Sequence, residues 1–205
     1  MFTTKVAKHA LLNSVLIGLI ACGSSAPIDE APRSAIESTT DSVTELLARA
    51  SDSTGTEAID LRLEAIETLL DDENLERAQL VASSLANVST TDTALQLRLA
   101  LIQARVALVT DQAEEAVALL SALPESLVRN QPDSQVEYFL LLGASEAAAE
   151  NYPAATDAYV EAAALADVSN QQLVHDQIWQ TLQLLDDEAL RLYAAAAQNY
   201  ALRGW

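Results

Sequence analysis

The side chains able to do chemistry in this 205-residue sequence are few: one cysteine, two histidines and thirty carboxylates. His175 stands beside Asp176 as a general-base pair would, yet no nucleophile motif accompanies it. A lone histidine near the start of a predicted helix reads as a surface or capping residue. The acidic runs Asp71-Asp72-Glu73, Glu114-Glu115 and Asp186-Asp187-Glu188 have the residue type used for glycosidase acid–base work. Each falls at the end or beginning of a predicted helix, where carboxylates suit the dipole of the following helix, so they read as solvated faces. H-E-x-x-H, G-x-S-x-G and G-x-x-x-x-G-K-[ST] are all absent. The single cysteine excludes a disulfide framework and a thiolate zinc cluster. The sequence therefore predicts no catalytic residue, no cofactor and no metal site.

Cys22 has a different use. Met1 to Ala21 carries a positive start (Lys5, Lys8) and an apolar run from Ala10 to Ala21, the parts of a secretory signal. The run is too short to span a bilayer comfortably, where about 20 apolar residues are needed. It closes on Leu19-Ile20-Ala21-Cys22-Gly23, which resembles the bacterial lipobox. That resemblance implies cleavage before Cys22, a thioether-linked diacylglycerol on its sulfur and acylation of the new N-terminus. Three acyl chains anchor firmly where one anchors only marginally. Gly23, in place of Asp, follows the sorting pattern for the outer membrane. Residues Ser24 to Arg33 are small, polar and Pro-punctuated, and read as a tether. The predicted division is a signal peptide over 1–21, a lipidated tether over 22–33 and one helical domain over 34–205, facing the periplasm.

The residues beyond the leader hold nine arginines, no lysine and thirty acids, an excess of 21 negative charges. Such a surface repels phosphate backbones, which excludes nucleic acid as a partner. Its plainest reading is a soluble or salt-adapted surface; attraction to a basic partner is the other, and would weaken with salt.

From Ser34 onward Ala, Leu, Glu, Gln and Arg dominate, all strong helix formers. Ile59, Leu63, Ile66 and Leu70 recur at helical spacing, as do Leu95, Leu99, Ile102, Val106 and Val109. Ser34 with Glu37 and Asp111 with Glu114 match capping boxes. Breaks are predicted at Ser51 to Gly55, Asp71 to Asn74, Ala122 to Glu125, Asn130 to Pro132 and Val168 to Asn170. No strand-length alternation of period two is present, so the fold class is all-α.

The pairs of helices repeat. Ala78, Ala116 and Ala155 superpose at spacings of 38 and 39 residues. In the third unit Gly143, Tyr152, Ala155, Tyr159 and Ala162 fall at tetratricopeptide (TPR) spacings, the small residues letting helices approach and the rings packing between pairs. The first two units keep the alanine and lose the glycine and aromatics. A TPR-like solenoid of antiparallel helix pairs is the prediction, with Tyr193, Tyr200 and Trp179 as packing residues and Tyr138 at a helical position.

Two further segments resemble a known family. Leu63-Glu64-Ala65-Ile66-Glu67-Thr68-Leu69-Leu70 leading into Glu76-Arg77-Ala78-Gln79-Leu80-Val81 is similar to the first helix pair of the LpoA family N-terminal domain. Ile178-Trp179-Gln180-Thr181-Leu182, followed by Leu202-Arg203-Gly204-Trp205, resembles its W-x-x-L … L-x-G-W ending. The family comprises outer-membrane lipoproteins that activate penicillin-binding protein 1A, a class A synthase of peptidoglycan. The resemblance implies a non-catalytic anchor and reach domain, with the synthase docking on a second, type I periplasmic-binding-protein-like domain that follows the Gly-Trp motif in family members and is not in this sequence. A TPR lipoprotein scaffold for outer-membrane protein assembly or secretion is the alternative.

Overall fold

Good helix formers in nearly every window make helices the cheapest way to satisfy the backbone here. The computed structural model describes residues 34–166, 171–185 and 191–196. The leader, Cys22, the tether and the terminal Leu202-Arg203-Gly204-Trp205 lie outside these residues, as do Tyr200, the break at Val168 to Asn170 and the acids of 186–188. The helices are α1 (Ser34–Asp52), α2 (Gly55–Asp71), α3 (Leu75–Ser83), α4 (Thr93–Val109), α5 (Ala113–Ser121), α6 (Glu125–Arg129), α7 (Pro132–Ala148), α8 (Tyr152–Leu165) and α9 (Gln171–Leu185). Residues 191–196 are also helical, and no strand occurs among the described residues. The protein is an all-α, TPR-like array of antiparallel helix pairs.

Three pairs form its body: α2 with α3, α4 with α5, and α7 with α8. Each pair turns through the same three-residue device, centred on Glu73, Asp111 or Glu150 at φ of 57°, 64° and 63°. In each, the following N–H donates back across the turn: Asn74 to Leu69 O at 2.8 Å, Gln112 to Ala107 O at 2.9 Å, Asn151 to Glu146 O at 2.8 Å. Together with the bonds from Glu73 to Leu70 O, Asp111 to Leu108 O and Glu150 to Ala147 O, these are Schellman closures. They satisfy carbonyls that a helix end leaves without partners. Five residues after each turn centre come Ala78, Ala116 and Ala155, exposed by 0%, 0% and 1%. The repeat is thus set by a turn and the small residue that lets the returning helix close down.

The capping box expected at Asp111 and Glu114 is displaced by one residue. Asp111 occupies the left-handed turn position that ends α4, so Gln112 becomes the N-cap of α5. The Gln112 amide donates to Glu115 Oε2 at 3.0 Å and its carbonyl oxygen accepts from Thr110 Oγ1 at 3.0 Å. Ser34 is the first helical residue of α1. The expected breaks at Asp71 to Asn74, Ala122 to Glu125 and Asn130 to Pro132 all separate helices, and that at Ser51 to Gly55 narrows to two residues. The segment 84–92 and the turn at 149–151, which the sequence did not mark, also interrupt the chain. The connection from α5 to α7 holds the short helix α6, whose Leu127 and Val128 are buried. These linkers account for a repeat longer than the usual 34 residues.

Each first helix touches the first helix of the next pair, so α2, α4 and α7 form one continuous face. Each second helix wedges onto the next first helix: α3 on α4, α5 on α7, α8 on α9. α1 packs along α2 and covers the open end of the array with Val43, Leu46 and Ala50. The periodic residues fill the core: Leu63 and Ile66 are fully buried, Ile59, Leu70, Leu95, Leu99, Ile102 and Val106 nearly so. Burying each large aliphatic side chain contributes about 1.5–3 kcal/mol. α4 is buried along most of its circumference, as a central helix must be.

Candidate functional site

The motif residues of the third unit meet at one contact. Gly143 on α7 lies against the Tyr159 ring of α8, and a Cβ on it would fall 2.6 Å from Cδ1 and Cε1. Glycine is required there by close approach alone. Ala155 and Ala162 are buried on the same helix as Tyr159, and Tyr152, at its start, is half-buried against the same core. These five residues build an interface between helices.

Behind Tyr159 sits an aromatic cluster. Tyr193 meets Tyr159 edge-on at 6.2 Å and Trp179 edge-on at 6.0 Å between ring centroids. The Tyr193 hydroxyl lies 2.7 Å from His175 Nδ1. Burial raises the pKa of both Tyr159 and Tyr193, because it removes water that would stabilise a phenolate. His175, itself half-buried, is therefore joined to a neutral phenol that packs in the core. Tyr138 is also buried and donates to Leu120 O at 3.3 Å. The acidic runs 71–73 and 114–115 are exposed. Among the described residues, no group of three His, Cys, Asp or Glu side chains is placed to hold a metal ion.

The polar feature that sequence reading missed lies on the face of α2, α4 and α7. Arg98 of α4 reaches α2, pairing with Asp60 at 3.2 Å and Glu67 at 2.9 Å. One heptad on, Arg105 pairs with Glu137 of α7; the Arg105 side chain is 8% exposed and that of Glu137 41%. Arg105 also acts on Asp71, whose pKa is raised by desolvation and by the like charges of Glu67 and Asp72, and lowered by the guanidinium. Two arginines seven apart in an otherwise uncharged helix were the available signal. Their partners, 31 to 38 residues away in sequence, were not.

This geometry holds helices together and presents a ridged face. The model of the LppC lipoprotein family matches residues 37–205, nearly the whole helical region. The chain belongs to this family. It is the LpoA/LppC lipoprotein family that the Leu63–Val81 segment and the Trp motifs resemble. LppC membership makes the chain a member of a lipoprotein family that is not a known catalytic one. No curated protein matches the chain, and no solved structure does. No helix among the described residues is long and apolar enough to cross a membrane.

Proposed function

We propose that this LppC-family chain is a non-catalytic outer-membrane lipoprotein that supports activation of a class A penicillin-binding protein. The observation that carries the reading is the family match over residues 37–205, joined to the lipobox ending on Cys22. Residues 1–21 direct export and are removed. Cys22 receives the lipid, residues 22–33 tether it, and the helical array from residue 34 reaches from the outer membrane toward the peptidoglycan. Contact with penicillin-binding protein 1A is made by the domain that follows the Gly-Trp motif in family members, so the array supplies anchor and distance. The exposed acidic runs and the absence of the common nucleophile motifs support a role by contact.

Two measurements test it. Metabolic labelling with palmitate should mark the wild-type protein and not Cys22→Ala, and the variant should leave the outer-membrane fraction. In a purified assay, the full-length natural protein should raise the glycan-polymerising or cross-linking rate of a class A penicillin-binding protein. If that protein neither binds nor stimulates the synthase, the activator reading fails. Co-purification with β-barrel assembly components alone would put the scaffold reading in its place.

A further inference from the structure

We draw no further inference here: the strongest candidate, the groove between α3, α4 and α5 lined by Gln79, Gln103, Gln112 and Glu115, carries nothing because the Gln79 amide is spent on Gln112 and that of Gln112 on Glu115, and nothing among the described residues shows what covers it.

Discussion

At the scale of single residues, two contacts decide more than their size implies. Gly143 and Tyr159 are complementary: one supplies the space the other fills. Gly143→Ala should destabilise by about 1–3 kcal/mol, since the methyl meets a ring packed on both sides. The double variant Gly143→Ala, Tyr159→Leu should recover part of that loss, a coupling that urea denaturation of the four-member cycle measures. The Tyr159 hydroxyl is buried without a hydrogen-bond partner among the described residues. Tyr159→Phe should accordingly be neutral or stabilising by up to about 1 kcal/mol. The Arg105–Glu137 pair predicts an asymmetry. Glu137→Ala strands a buried guanidinium whose Nε has no partner among the described residues, and should cost about 2–3 kcal/mol. Arg105→Met leaves behind a carboxylate exposed enough to rehydrate, fills most of the volume and should cost under about 1 kcal/mol. Equal losses in thermal denaturation would show that the pair acts through its packing and not through charge.

At the scale of elements, the turn is the part of the repeat that the sequence conceals. Alanines at 78, 116 and 155 were legible because a small residue at fixed spacing has one physical use, close approach of helices. The closure of the turns was less so: the break at Asp71 to Asn74 was marked and that at 149–151 was not, because the left-handed position holds Glu73, Asp111 and Glu150 where glycine or asparagine is the usual marker. The displaced cap at Gln112 has the same origin: Asp111 looks like a capping residue in sequence and is claimed by the end of the preceding helix. Arg98 and Arg105 were visible only as the two charges of an otherwise uncharged helix, since their partners arrive through tertiary packing. The helices themselves, and the burial of Ile59, Leu63, Ile66 and Leu70, followed from periodicity alone. The turns also give a prediction. A β-carbon in the left-handed region costs about 1–2 kcal/mol, so Glu73→Gly and Glu150→Gly should each stabilise by about 0.5–1 kcal/mol. Their combined effect should be close to additive, because the two turns belong to different helix pairs. A loss of stability in either would mean that the carboxylate makes a contact worth more than the backbone strain.

At the scale of the molecule, net charge and repeat architecture pull against each other. Nine arginines face thirty acids from Cys22 onward, and at least three of those arginines are spent in ion pairs, Arg98 and Arg105 between first helices and Arg129 within α6. A solenoid transmits order only between neighbouring units, so repulsion along the array is not offset by distant contacts. Salt therefore has two opposed effects here: it screens the general repulsion over the whole surface, and it weakens the exposed part of the Arg98 fork. Arg105 is shielded from the second effect by its burial. Repulsion involves every acid and the fork only two, so screening should win. Raising NaCl from 20 to 300 mM shortens the Debye length from roughly 20 Å to below 8 Å. A gain of about 1 kcal/mol, or ~2–4 °C in Tm for a chain of this size, is expected. Arg98→Gln should show a larger gain than the wild type, because it leaves two more carboxylates unopposed on the α2 face. A Tm that falls with salt would reverse the balance and make the arginine pairs, not the apolar seams, the main tie between successive helix pairs.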